Sequence, residues 1–135
     1  MIGIIIVSHS NMANGIKDAV EMIVGEQENL FSVGYYIEDS LEDLSNNITN
    51  IIDNGECDEW IIFTDMFGDT PSNVSAVVTT QKNADVITGV NLVMILEILN
   101  MRKNHNKNEI IDQIVNIGKS GITTITKDEI MKNIK

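Results

Sequence analysis

Residues 2–10 read Ile-Gly-Ile-Ile-Ile-Val-Ser-His-Ser, an apolar run that ends in a polar tripeptide. The unbroken, mostly β-branched run Ile2–Val7 is typical of a strand that is covered on both faces, as the strands of parallel sheets are. Apolar residues then recur at helical spacing over residues 12–24, with Ser10 or Asn11 as candidate N-caps. The first unit of the chain is therefore predicted to be a strand, a loop and a helix.

The same alternation of strand and helix recurs three more times along the chain. Strands are predicted at residues 30–36, 60–64 and 86–89, and a helical pattern follows each of them. Four such units predict an α/β protein: one domain over residues 1–135 with an open, doubly wound and mainly parallel sheet. We expect the strand order 2-1-3-4, with helices on both faces of the sheet.

Local signals predict where several helices begin. Ser40 and Asp43 have the spacing of a capping pair, and Asn91 is placed to cap the helix after the fourth strand. Pro71 suits the first helical position, where no backbone donor is needed. Pro71 should therefore open the third helix, and Thr70 is its expected N-cap.

The last third of the chain carries two further predictions. Residues 102–108 are polar and are expected to form an exposed segment before a helix that ends near Gly118. Beyond this helix, the pattern of Ile122–Thr126 predicts a fifth strand. No neighbouring strand follows it, so it would leave an exposed edge unless another chain paired with it.

Composition excludes several classes of function. The net charge is −11 at pH 7, whereas nucleic-acid binding and attachment to an anionic membrane both need a basic surface. The longest apolar runs fall far short of the roughly 18 residues that span a bilayer, and no secretory signal is recognisable. The lone Cys57 allows no internal disulfide. We therefore expect a cytoplasmic protein that binds no nucleic acid.

Two residues are candidates for catalysis at the point where the winding of the sheet reverses, between strands one and three. In open parallel sheets, ligands bind at the carboxyl ends of the strands at this point. His9 follows strand one and Asp65 ends strand three, so the carboxylate could accept the proton of one ring nitrogen. The other ring nitrogen would then be free for attack or proton transfer. An Asp65 that caps its own turn is the open alternative.

Phosphate-binding residues are predicted around the same crevice. Thr70 would aim its hydroxyl and nearby free backbone donors toward it, since helix N-termini favour anions. Ser10, beside His9, is the second candidate. The chain has no GxxxxGKS/T loop, no GxGxxG, no CxxC pair and no HExxH, so neither a cofactor nor a metal is expected.

Four segments together resemble the mannose-family IIA domain of the bacterial sugar phosphotransferase system. They are residues 4–10 (IIIVSHS), 25–29 (GEQEN), 65–73 (DMFGDTPSN) and 88–92 (TGVNL). The resemblance implies that the protein is a phosphotransferase component and a cytoplasmic homodimer. In this role, His9 takes a phosphoryl group from the phosphocarrier protein HPr and passes it to a IIB domain. The IIB domain then phosphorylates a sugar that enters through the membrane IIC and IID subunits. No IIB sequence follows residue 135, so IIB is expected on a separate chain.

The resemblance also implies roles for individual residues. Asp65 corresponds to the partner of the histidine, Thr70 to a phosphate-facing hydroxyl, and Ile122–Thr126 to an antiparallel strand that subunits exchange. Asp69 stands where many members have glycine, and a second carboxylate should repel a phosphoryl group unless it points to solvent or contacts a partner. Phe67 and Asp69 are assigned to partner contact, and the roles of both are left open.

Three other functions remain open from the residues. Phosphoryl-accepting subunits of dihydroxyacetone kinases also begin with a strand and Ser-His-Ser. A small tetrapyrrole chelatase would use His9 with His105 as a second metal ligand, although His105 lies in a polar, loop-like segment. A regulatory binding domain without activity would keep the fold and lose the chemistry.

Overall fold

Four strands alternate with four helices, and two further helices follow, within residues 1–134, which are the residues that the computed structural model describes. The strands are β1 (Ile2–His9), β2 (Leu30–Tyr35), β3 (Glu59–Thr64) and β4 (Ala84–Ile87). The helices are α1 (Met12–Val24), α2 (Leu41–Asn54), α3 (Thr70–Val78), α4 (Leu92–Met101), α5 (Lys107–Ser120) and α6 (Lys127–Asn133). The four strands pair in parallel in the order β2-β1-β3-β4, which confirms the predicted sheet.

The side chains of β1 separate two apolar cores. Ile4 and Ile6 pack on the face that α1, α4 and α5 cover, whereas Ile5 and Val7 pack on the opposite face against α2 and α3. All four side chains are completely buried. A strand that is buried on both faces has to be apolar at every position, which explains the unbroken run at the start of the sequence. Helices therefore cover both faces, as predicted.

The predicted caps of α2 and α4 are present. The side chain of Ser40 accepts a hydrogen bond from the Asp43 backbone, and the Asp43 side chain reciprocates, which forms a capping box. Asn91 caps α4. Strand β4 lies two residues earlier than the predicted segment 86–89, because the chain turns away at Gly89 with φ +72°.

The predicted cap of α3, Thr70, is wrong by one residue. Helix α3 begins at Thr70, and Asp69 is its N-cap, with Oδ1 accepting a hydrogen bond from the Thr70 backbone N–H at 2.8 Å. Pro71 takes the second helical position, which its missing N–H still permits because the first helical N–H groups have no partner within the helix. Aspartate is one of the strongest N-caps, so it displaces threonine from this position.

The predicted fifth strand pairs with no other strand among the described residues, and its exchange between subunits stays a prediction. Ile122–Thr126 is neither helix nor strand, and it leads into α6, which Thr126 caps. Alternating isoleucine and threonine favours an extended backbone, but a strand forms only where a second strand pairs with it. The ladder of the sheet runs only among β1, β2, β3 and β4 in the described part of the chain. The side chains of Ile122 and Ile125 are left exposed.

The polar segment that begins at Arg102 is not fully exposed, because Arg102 itself is buried. Its guanidinium donates hydrogen bonds to the carbonyl oxygens of Glu28 (2.6 Å), Asn29 (3.2 Å) and Ile2 (3.4 Å). The backbone of Arg102 also accepts a hydrogen bond from the N–H of Ile2. Arg102 therefore joins the end of α4 to the starts of β1 and β2, at the sheet edge opposite His9.

We expect Arg102→Ala to lower the free energy of unfolding by about 3 kcal/mol, because buried carbonyl groups would lose charge-assisted hydrogen bonds. Urea denaturation measures the change. The matched control is Lys103→Ala, which removes an exposed neighbouring cation and should stay within about 0.5 kcal/mol of the parent protein. Equal stability of the two variants would contradict a structural role for the guanidinium.

Within residues 1–134, no helix combines the length and the apolar character that a membrane crossing requires.

Candidate active site

The register of the sheet places His9 and Asp65 at the same edge. Strands β1 and β3 run parallel with Val7 opposite Thr64, so the chain leaves both strands at nearly the same level. His9 is the last residue of β1, and Asp65 is the first residue after β3. Both side chains can therefore reach the crevice above the carboxyl ends of the strands, where such sheets bind ligands.

A single carboxylate oxygen holds His9 in two ways. Oδ2 of Asp65 lies 2.6 Å from Nδ1 of the His9 ring and accepts the backbone N–H of His9 at 2.8 Å. The other oxygen, Oδ1, accepts the N–H of Met66. The Asp65 side chain is only 9% exposed, whereas the His9 side chain is 42% exposed. The carboxylate is thus fixed by the fold, and the imidazole it orients remains accessible.

The contact with Asp65 determines the tautomer of His9. A carboxylate at 2.6 Å requires a proton on Nδ1, so the lone pair of a neutral ring lies on Nε2. The hydrogen bond to Asp65 is the main reason why the pKa of His9 is raised above its ordinary value; partial burial opposes the rise, and the negative charges of Asp65 and Asp69 add to it.

Asp65 itself stays ionised under the same interactions. Burial of the carboxyl group works to raise its pKa, but hydrogen bonds from the backbone and the ring of His9 outweigh that effect and hold the pKa below its ordinary value. An ionised acceptor next to Nδ1 can stabilise positive charge on the ring.

Asp69 contacts the other nitrogen of the ring. Its Oδ2 lies 3.3 Å from Nε2 of His9, and its side chain is 49% exposed. Asp69 therefore faces the histidine instead of pointing away into solvent. The turn that brings it there passes through Gly68, whose φ of +84° is a left-handed conformation that glycine adopts without strain.

The other predicted site residues lie at different distances from this pair. Ser10 lines the same cavity of about 320 Å³ as His9, whereas Thr70 lines a separate groove between α2 and α3. No hydrogen bond joins the Thr70 hydroxyl to His9 within residues 1–134. The side chain of Phe67 is 85% exposed at the tip of the loop after β3. The structure thus brings His9, Asp65, Asp69 and Ser10 together and leaves Thr70 outside this cluster.

Tyr35 and Ser8 belong to the site, although the sequence reasoning did not identify them. The ring of Tyr35, at the end of β2, meets His9 edge to face with a centroid separation of 6.4 Å. The buried Ser8 hydroxyl accepts the N–H of Ala13 at 2.7 Å and thereby caps α1 in place of Asn11. Only their positions in the sequence indicate that they belong to the site: Tyr35 ends the strand next to β1, and Ser8 lies beside the histidine.

Ser72 fixes the loop that carries Asp65 and Asp69. Its buried hydroxyl lies 2.6 Å from the Thr64 hydroxyl and donates a hydrogen bond to the carbonyl oxygen of Met66. The Ser72 hydroxyl therefore holds the first turn of α3 against the end of β3 and against the start of the loop. A serine in the first turn of a predicted helix was the only sequence signal for this contact.

No metal centre is present among the described residues, and no basic side chain lines the cavity beside His9. No group of three or more histidine, cysteine, aspartate or glutamate side chains could hold a metal ion in residues 1–134. The cavity beside His9 is lined by Ser10, Tyr35, Tyr36, Ile37 and Glu38, and no lysine or arginine takes part.

The two histidines are not brought together. His105 follows α4 near Arg102, at the edge of the sheet opposite His9, and its Nδ1 lies 3.1 Å from the carbonyl oxygen of Met101. The ligand pair that the chelatase alternative needs is therefore not formed in this chain.

Comparison with known proteins identifies the family. The EIIA-man family, described as the fructose IIA component of the phosphotransferase system (PTS), matches residues 3–115. The sorbose-specific EIIA component of Lacticaseibacillus casei is 33% identical over 133 residues, which cover 98% of this chain and 96% of that protein. The fructose-specific EIIA component of Bacillus subtilis (strain 168) is 31% identical over 106 residues, which cover 77% and 73% of the two chains.

A solved structure agrees with this assignment. The crystal structure of PTS component EIIA from Streptococcus agalactiae superimposes with a TM-score of 0.87 at 29% identity, covering 92% of this chain and 97% of that one. The resemblance to mannose-family IIA domains is thereby confirmed. The chain belongs to the EIIA-man family of PTS IIA components, which carry phosphoryl groups in sugar uptake.

Proposed function

We propose that His9 is the residue that carries the phosphoryl group, and that Nε2 is the atom to which it bonds. The observation that carries this proposal is the 2.6 Å contact between Nδ1 and Asp65, because it leaves Nε2 as the nucleophilic nitrogen of a neutral ring. The exposure of the ring at the edge of the sheet gives a protein-bound phosphoryl group access to it.

The donor is proposed to be the phosphohistidine of HPr. In the transfer, the lone pair of Nε2 attacks phosphorus, the P–N bond of the donor breaks, and its electron pair returns to the donor ring. Phosphorylation leaves the His9 ring positively charged, and the carboxylate of Asp65 stabilises that charge. The reverse sequence of bond changes passes the group to a IIB domain, so that His9 acts as a phosphohistidine relay.

Phosphate contacts are proposed for Ser10 and Thr70. Ser10 lines the cavity beside His9, which supports its role. Thr70 begins α3, whose N-terminal end carries partial positive charge that favours an anion, but its N–H is bonded to Asp69 and its hydroxyl must turn from the α2–α3 groove to take part. Because no cation lines the cavity, the positive charge that offsets the phosphoryl group is proposed to come from the partner proteins.

The proposed setting is the cytoplasm, where residues 1–135 act as one IIA domain in a homodimer. Ile122–Thr126 is the proposed contact between subunits, supported by the exposed side chains of Ile122 and Ile125. The exposed Phe67 is a proposed contact for HPr or IIB. The involvement of the IIC and IID membrane subunits would be indirect, because the phosphoryl group passes from this domain to IIB.

Mapping the phosphoryl group tests the proposal. The protein is incubated with enzyme I, HPr and phosphoenolpyruvate, and the modified residue is located by mass spectrometry at a pH that preserves phosphohistidine. We expect one acid-labile group on His9 and none on His105, and we expect no modification when HPr is omitted. A modified His105, or a folded protein that accepts no group, would contradict the assignment.

A further inference from the structure

Carboxylates face both nitrogens of the His9 ring. Asp65 holds Nδ1 at 2.6 Å, and Asp69 lies 3.3 Å from Nε2. Nε2 is the nitrogen that the proposed function requires as nucleophile. The carboxylate of Asp69 therefore stands where an incoming phosphoryl group has to arrive.

The contact between Asp69 and Nε2 fits only one charge state of the ring. When His9 is protonated, both nitrogens carry a hydrogen, and each can donate to one carboxylate. When His9 is neutral, the lone pair of Nε2 faces the negative oxygen of Asp69, and the two repel each other. The observed arrangement is thus the one that suits protonated His9.

We infer that Asp69 is a positioning residue that holds Nε2 of protonated, unphosphorylated His9. Its carboxylate must withdraw before the ring accepts a phosphoryl group. This role rests on the proposed acceptance of the phosphoryl group by His9. Asp69 thereby sets the low-pH limit of acceptance. The Nε2 proton passes to water or buffer, the carboxylate turns away, and the freed lone pair attacks phosphorus while the P–N bond of the donor breaks.

Withdrawal of Asp69 requires little rearrangement. Its side chain is half exposed, so Oδ2 can turn into solvent. Its other oxygen caps α3 through the Thr70 N–H and can keep that contact. Nothing lies within 4 Å of the position that a Cβ atom would take at the preceding Gly68, so the turn is not packed against other groups.

The titratable and charged groups around His9 come from three elements. Asp65 follows β3, Asp69 precedes α3, and Tyr35 ends β2 with its ring 6.4 Å from that of His9. Glu38 follows β2 and lines the same cavity, without a hydrogen bond or ion pair to His9. The carboxylates of Asp65 and Asp69 raise the pKa of His9, so acceptance should fall as the pH falls and the ring becomes protonated.

Two substitutions distinguish the effect of the negative charge of Asp69 from the effect of its contact with Nε2. Asp69→Ser keeps a good N-cap but is too short to reach the ring. Asp69→Asn keeps the cap and the reach, yet its amide can donate to the Nε2 lone pair. The matched control is Glu38→Gln, which removes a negative charge from the same cavity without removing a contact to the ring.

The test measures two quantities against pH: the rate of phosphoryl acceptance from phospho-HPr, and the titration of His9 followed by NMR. We expect both Asp69 variants to titrate at lower pH than the parent protein. Below the parent midpoint, Asp69→Ser should accept the group up to about fivefold faster, the range of an exposed ion pair. Asp69→Asn should stay slower than Asp69→Ser on the high-pH plateau. Glu38→Gln should retain the parent titration.

Two results would overturn the inference: an unchanged His9 titration in both Asp69 variants, or an Asp69→Ser pH–rate profile that matches the parent. Thermal unfolding of each variant checks that α3 remains folded. The NMR titration does not depend on phosphoryl transfer. If His9 accepts no phosphoryl group, the proposed function fails, while the titration still reports whether Asp69 holds the ring.

Discussion

Replacement of His9 by alanine is expected to abolish phosphoryl acceptance, with a fall on the order of 10⁴-fold or more that reaches the background of the assay. The reason is that Asp65 and Asp69 surround a single imidazole, and neither a second imidazole nor a thiol lines the cavity beside it. The measurement is transfer from radiolabelled phosphoenolpyruvate through enzyme I and HPr. Because His9 is partly exposed at the end of a strand, the variant should remain folded.

His105→Ala is the matched control for His9→Ala, since it removes the other histidine at the opposite edge of the sheet. It should accept the group at the parent rate. Substantial transfer to the His9→Ala protein would place the acceptor elsewhere, and loss in both variants would indicate a general defect in folding or in partner recognition.

Asp65→Asn is expected to slow acceptance by roughly 10²-fold or more, within the range that orientation and proton placement contribute in such sites. The NH₂ group of an asparagine must face either the backbone N–H and ring of His9 or the N–H of Met66, so at least one contact that orients His9 or its carboxylate partner is lost. The variant also loses the charge that stabilises a phosphorylated ring. Since Asp65 raises the pKa of His9, the titration of His9 should move to lower pH.

The control for Asp65→Asn is Asp53→Asn, which breaks an ion pair with Lys82 away from the site. It should leave both the rate and the titration unchanged. Nitrogen NMR shifts of the His9 ring identify the tautomer directly. A ring that keeps its proton on Nδ1 in Asp65→Asn, together with a parent rate of acceptance, would contradict the proposed role of the carboxylate.

The sheet and the proximity of His9 to Asp65 could be predicted because both follow from periodic patterns and topology. The run Ile2–Val7 has to be apolar throughout when helices cover both of its faces. Once β1 and β3 are parallel neighbours, the residues at their carboxyl ends have to lie side by side. Neither deduction depends on the conformation of a side chain.

Three features could not be predicted, each for a different physical reason. The direction of Asp69 depends on a left-handed turn at Gly68 and on one side-chain rotamer. Burial of Arg102 depends on carbonyl groups from distant segments of the chain. The residues that follow Arg102 in sequence are polar, so local sequence indicates an exposed segment. The state of Ile122–Thr126 depends on a pairing partner, and local propensity does not supply one.

The carboxylate oxygen of Asp65 that holds both the backbone and the ring of His9 also affects how His9 meets successive partner proteins. Because one oxygen holds both the backbone and the ring of His9, a rotation of the ring would break a contact at the end of β1. The imidazole has therefore lost most of its rotational freedom before any partner arrives. A carrier meets a donor and then an acceptor in every cycle, and each encounter is spared the entropic cost of ordering the ring.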